Sequence, residues 1–125
     1  MKTTRKHYDA FKQEFYHWAS IWIPDYEIQM EYPNEDIEAC SAVIPGSSES
    51  KMAIVLFGKE WHDTKINMRT VRKYAFHECL EVFFEPLESL APKKHAKRAR
   101  EEVHRAINLI TTHIFEPSHK RRFGS

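Results

Sequence analysis

Aromatic residues recur every three or four positions in the first part of the chain. They are Tyr8, Phe11, Phe15, Trp18 and Trp22, and polar side chains fill the positions between them. This spacing places the rings on one face of a helix and leaves the other face to solvent. The pattern predicts an amphipathic helix over residues 5–22, which the Pro24-Asp25 pair ends.

The pattern then changes to strict alternation. Residues 26–32 place apolar side chains on one face only, which is typical of a half-buried strand. Turn residues at 33–36 and 45–48 separate this segment from two further predicted strands over residues 37–44 and 51–57. The third strand is apolar on both faces, which favours a central or covered position. Because the connections are short, we expect an antiparallel three-stranded sheet.

A helical period returns near residue 67 and continues almost to the end of the chain. It predicts a helix over residues 68–90, which Pro86 kinks or ends, and a turn near Pro92 that leads into a last helix over residues 95–115. We expect the basic residues 118–125 to form a flexible tail. The predicted fold is therefore α+β, with residues 1–125 in a single domain.

Composition narrows the possible partners and location of the chain. The 19 basic and 18 acidic side chains give a net charge of +1, without the basic bias of nucleic-acid-binding proteins. No segment approaches the roughly 20 apolar residues that span a membrane. Two cysteines do not make a disulfide framework, and the N-terminus does not resemble a signal peptide. We therefore expect a cytoplasmic protein without nucleic-acid or membrane partners, and the oligomeric state stays open.

Three polar residues interrupt the most apolar part of the predicted 68–90 helix. Eight of the eleven residues 74–84 are apolar or aromatic, and the exceptions are His77, Glu78 and Glu81. His77 and Glu81 are four residues apart and lie on one helix face, so both can bind one cation. Glu78 points about 100° away, where it can reach a metal-bound water and accept its proton. Cys79 falls on the inward stripe and is expected to pack as a small hydrophobic residue.

The segment Ala75-Phe76-His77-Glu78-Cys79-Leu80-Glu81, after an amphipathic helix and a small antiparallel sheet, resembles the zincin metallopeptidases. It is most similar to the short metallopeptidases of tailed phages, although Glu81 stands where most zincins have a second His. The resemblance implies zinc-dependent hydrolysis of a peptide or protein substrate, with one Zn²⁺ ion and Glu78 as general base. For a phage-encoded protein it implies the host cytoplasm. It further implies that the strand at 51–57 lies at the sheet edge beside His77 and pairs with extended substrate.

A third protein ligand is expected from the last helix. If that helix folds back antiparallel about Pro92, residue 81 faces roughly residue 103, so His104 has the right height. His95 lies near the turn, and His113 overshoots His77 by about six residues, roughly 9 Å. We therefore expect the ligand set His77, Glu81 and His104, two His and one carboxylate as in many catalytic zinc sites. His113 remains an alternative ligand. His104 can also be a surface residue paired with Glu101 or Arg100.

Other interpretations of these residues remain open. His77 and Glu81 can form an ordinary helical ion pair without a metal. The spacing Glu101-x-x-His104 occurs in ferritin-like metal proteins, but these need four long helices, whereas the middle of this chain consists of predicted strands. The chain can also be a non-catalytic metal-binding or accessory protein that keeps a zincin-like fold. A measurement of bound metal distinguishes an empty site from an occupied one.

A basic stretch over residues 93–100 precedes the acidic pair Glu101-Glu102. It lacks the interleaved aromatic residues of a nucleic-acid-binding surface. We therefore expect it to form a solvated helix start.

Overall fold

The computed structural model describes residues 1–34, 40–45, 51–62 and 65–125. In chain order the elements are α1 (Arg5–Trp22), β1 (Glu27–Asn34), β2 (Ser41–Pro45), β3 (Met52–Gly58), α2 (Met68–Glu88), a 3₁₀ turn (Lys93–His95), α3 (Ala96–Ile110), a π-helical turn (Thr111–Phe115) and α4 (Glu116–Phe123). The predicted α+β class is confirmed, with a small sheet between the first helix and the later ones. Of the second predicted strand, residues 37–39 lie outside the described residues.

Helix α1 packs its aromatic stripe between the sheet and α2. It begins after Thr4, whose hydroxyl accepts a hydrogen bond from the backbone N–H of His7. Phe11 and Phe15 are fully buried, and the ring of Phe11 lies 4.7 Å from the ring of Phe57 in β3. Buried side chains from α1, β3, α2 and α3 belong to a common hydrophobic core. Among the described residues, no helix combines the length and the apolarity needed to cross a membrane.

The sheet is mixed, so the prediction of an antiparallel sheet is wrong for one of its two pairings. The strand order is β1-β3-β2, with β1 parallel and β2 antiparallel to β3. Two successive chain reversals return β3 to the direction of β1. Once β3 lies between the other strands, its pairing with β1 must be parallel. Burial explains the central place of β3, because most of its side chains are buried, including Ala53, Val55 and Phe57.

The prediction that residues 51–57 form an edge strand beside His77 is also wrong. β3 is enclosed between β1 and β2, and the edge strand β2 packs against α2. The apolar character of β3 on both faces favours the central position over the edge, because an edge strand leaves its backbone groups open on one side. Any pairing of an extended substrate with the sheet edge near α2 would therefore involve β2.

The flexible tail predicted for residues 118–125 is wrong for most of that segment. The last helix continues through the π-helical turn into α4, which ends at Phe123. Ser118 and His119 are buried. Arg122 donates from Nη1 to Oε1 of Glu14 at 2.8 Å and from Nη2 to Oε2 at 2.6 Å. The helix docks through paired polar groups, which hydrophobic periodicity does not reveal.

Candidate metal centre

Helix α2 places His77 and Glu81 side by side. The helix begins after Asn67, whose side chain accepts a hydrogen bond from the backbone N–H of Thr70. Because His77 and Glu81 are four residues apart, their side chains lie on the same face. Nε2 of His77 stands 3.4 Å from Oε1 of Glu81. The predicted pair is thus formed within one helix.

Helix α3 brings His104 to the same carboxylate oxygen. Nε2 of His104 lies 3.3 Å from Oε1 of Glu81, and the two imidazole rings are 6.1 Å apart between centroids. One donor atom from each of the three residues lies within 4.8 Å of the others. Two ligands of a tetrahedral zinc ion, each about 2.1 Å from the metal, are about 3.4 Å apart. The two measured separations from Glu81 match this value.

The structure separates His104 from the other candidate ligands. His95 belongs to the exposed 3₁₀ turn before α3, and His113 is exposed in the π-helical turn. Neither belongs to the converging group found among the described residues, and Glu101 does not belong to it either. The comparison of positions along the two antiparallel helices therefore favoured His104, which is the His that faces Glu81. The ferritin-like alternative through Glu101 has no geometric support in the described part of the chain.

The shared oxygen of Glu81 is buried without a hydrogen bond. The Glu81 side chain is 10% exposed, and Oε1 has no hydrogen-bond partner in the described structure. The His contacts have ion-pair distances, but their geometry does not make hydrogen bonds. A buried carboxylate oxygen in this state is unfavourable unless a positive charge compensates it. Protonated imidazole or a metal ion between the three groups would supply that charge, so the residues fit a cation.

The second oxygen of Glu81 has a different partner, which the sequence did not predict. Nη1 of Arg100 donates to Oε2 of Glu81 at 2.6 Å and to Oε2 of Glu88 at 3.1 Å. The prediction of a solvated helix start over residues 93–100 therefore does not hold for Arg100. The sequence contains one indication of this contact. Arg100 and His104 are four residues apart, so they lie on the same face of α3.

The charges of the group favour an ionised Glu81. Burial opposes ionisation, but His77 and Arg100 outweigh it and lower the pKa of Glu81 to about 2. Glu81 in turn raises the pKa of His77, against the opposing effect of burial. The carboxylate is therefore available as an anionic ligand across the physiological pH range.

Glu78 is buried beside β2. It is 7% exposed, and burial raises its pKa to about 7 despite the opposing effect of His77. The Ser41 side chain of β2 is close enough to favour the charged form of Glu78, yet its Oγ makes no geometrically acceptable hydrogen bond. The next residue, Cys79, is fully buried, and burial raises the pKa of its thiol to about 12. Cys79 is a packed core residue, as predicted.

A cavity of about 460 Å³ adjoins the carboxylate side of the group. Glu81, Glu85, Glu88 and Arg100 supply its charged lining, and Val43 of β2 contributes apolar surface. The edge strand and Glu81 therefore border one open space, whereas His77 and His104 line two other cavities. That space has room for part of an extended chain.

Comparison of the chain with protein-family models, curated proteins and solved structures finds no match.

Proposed function

We propose that this protein is a metal-dependent hydrolase of peptide bonds, with one Zn²⁺ ion bound by His77, Glu81 and His104. The observation that carries the proposal is the convergence of two imidazole nitrogens on one buried carboxylate oxygen that has no hydrogen-bond partner. Two His and one carboxylate are a common ligand set for catalytic zinc, which leaves a further position open. When bound, zinc lowers the pKa of a water molecule and polarises a carbonyl group.

Glu78 acts as the general base in this proposal. It follows His77 directly and therefore lies about 100° around α2 from that ligand. Its carboxylate accepts the proton of the attacking water as the water oxygen bonds to the carbonyl carbon. It then returns that proton to the amide nitrogen, which leaves as the amine when the carbon–nitrogen bond breaks. Ser41 lies beside Glu78 and contributes to the electrostatic surroundings of its carboxylate. This arrangement assigns proton transfer to α2, with β2 beside it, and metal binding to α2 and α3.

The sheet edge supports a peptide as substrate. β2 is an outer strand, and its Val43 lines the cavity next to Glu81. An extended peptide can pair with an exposed strand through main-chain hydrogen bonds. A peptide paired with β2, and not with β3 as the sequence predicted, would pass Glu81. The two cysteines are free, which supports the cytoplasmic location that we propose.

One observation favours a second function, namely metal binding without catalysis. Glu78 is 7% exposed and packs beside Ser41. A base must reach the reacting water directly or through one intervening water. If this burial persists when a peptide is present, the His-Glu-His group would hold a metal ion but hydrolyse nothing.

Metal content and hydrolysis test the two functions separately. Elemental analysis of purified protein should find about one zinc per chain. Glu78→Gln should keep that zinc and abolish cleavage of an unstructured protein such as casein, because only the proton acceptor is lost. Glu102→Gln is the matched control, since Glu102 lies on the α3 surface with its side chain 61% exposed. Absence of zinc from the wild type would refute the proposal. Equal zinc with no cleavage by the wild type would favour the non-catalytic function.

A further inference from the structure

The two oxygens of Glu81 lie in unlike surroundings. Oε1 faces both His side chains, whereas Oε2 accepts a hydrogen bond from Nη1 of Arg100 at 2.6 Å. A partial rotation of the carboxylate would break the contact with Arg100, whereas a half-turn would only exchange two equivalent oxygens. The guanidinium group therefore holds the plane of the carboxylate so that one oxygen faces the His pair.

Arg100 is itself held in place by a second carboxylate of α2. Its Nη1 also donates to Oε2 of Glu88 at 3.1 Å. Glu81 and Glu88 are seven residues apart, which places both on one face of α2 two turns apart. The Arg100 side chain is 44% exposed and lines the cavity, so it reaches this position from α3 without belonging to the hydrophobic core.

From this geometry we infer that Arg100 is a positioning residue that restricts Glu81 to one coordinating oxygen. This inference rests on the proposed metal site. A carboxylate with two unoccupied oxygens can bind a metal through both, which raises the coordination number. Because Arg100 occupies Oε2, the site offers one oxygen and two nitrogens, a donor set suited to four-coordinate zinc with one open position. Residues that orient metal ligands in this way typically change metal affinity 10- to 100-fold when replaced.

The test is Arg100→Met in the full chain, measured by Zn²⁺ titration and by visible spectroscopy of the Co²⁺-loaded protein. Zinc affinity should fall about 10- to 100-fold. The Co²⁺ absorption should become weaker, because four-coordinate Co²⁺ absorbs more strongly than Co²⁺ with five or six ligands. Arg100→Lys should restore part of the wild-type spectrum, since an ammonium group can still bind Oε2. Arg105→Met is the matched control, because Arg105 pairs with Glu102 on the α3 surface.

The zinc titration and the Co²⁺ spectrum together test the positioning role of Arg100. A weaker zinc affinity together with a weaker Co²⁺ spectrum supports the positioning role. An unchanged Co²⁺ spectrum in Arg100→Met overturns it, whatever happens to the affinity, because a loss of charge or of stability alone leaves the coordination number as it was. If the wild type binds neither metal, the proposed function and this inference both fail.

Discussion

Replacing Arg122 with Met removes both hydrogen bonds that join α4 to α1. Glu14 has a side chain that is 3% exposed, whereas Arg122 is 27% exposed. The Met variant therefore leaves a buried carboxylate with Trp18 as its remaining hydrogen-bond donor, through Nε1 at 2.7 Å. Breaking a buried ion pair by removing one partner costs about 3–5 kcal/mol. We expect a loss of this size in the free energy of unfolding, measured by urea denaturation.

Two further measurements identify buried charge as the cause. The double variant Glu14→Gln with Arg122→Met should be more stable than Arg122→Met alone, because it no longer buries an unpaired carboxylate. In the wild type, burial opposes ionisation of Glu14, but Arg122 and Trp18 outweigh it and lower its pKa. The pair therefore contributes its full stability above the ordinary Glu pKa of 4.5 and loses it as pH falls through the lowered value.

The pH dependence separates this explanation from a simple packing defect. In Arg122→Met, burial without the partner should raise the pKa of Glu14, so protonation removes the buried charge as the solution becomes acidic. The stability difference between the wild type and the variant should then narrow with falling pH. A carboxyl with a raised pKa titrates between about pH 7 and about pH 4. A stability difference that stays constant over this range would refute the reasoning. A double variant that is no more stable than Arg122→Met would refute it too.

Two other predictions concern the metal centre and the core. His104→Ala should lower the zinc content of the protein to near zero while His113→Ala keeps it, because His104 faces Glu81 and His113 lies outside the group that converges on it; full zinc in His104→Ala would place the site elsewhere. Cys79 should resist alkylation by iodoacetamide in the native protein and react after unfolding, since burial raises its pKa to about 12, whereas the partly exposed Cys40 should react first.

Local periodicity predicted most of the helical structure. The aromatic stripe predicted a helix over residues 5–22, and α1 spans Arg5–Trp22. The predicted 68–90 helix corresponds to α2, Met68–Glu88, and Pro86 lies within its last turn. Each of these helices buries one face, so the spacing of its apolar residues is enough to predict the helix from the sequence. Helix rise and an antiparallel return predicted the position of His104 along α3 but not its direction around the helix axis.

Strand pairing and polar docking needed information from distant parts of the chain. The alternation of apolar and polar residues predicted β1 but not the strand that pairs with it, because the same alternation occurs in parallel and antiparallel pairs. The helical end of the chain depends on Glu14, which is 108 residues from Arg122. Arg100 was missed for a related reason. A basic residue near the start of a helix is usually solvated, and only its distance to Glu81 distinguishes this one.

The π-helical turn at Thr111–Phe115 divides the last helix into two parts with different angular registers. A π turn accommodates one residue more than an α turn, so each following side chain is rotated by about 100° relative to an uninterrupted α-helix. Because an α turn holds one residue fewer, deleting one residue there would leave Arg122 facing Glu14, whereas a deletion elsewhere between His104 and Arg122 would turn Arg122 away. In evolutionary terms, this turn is the place where the last helix can lose one residue while α4 keeps its docking and His104 keeps its orientation toward Glu81.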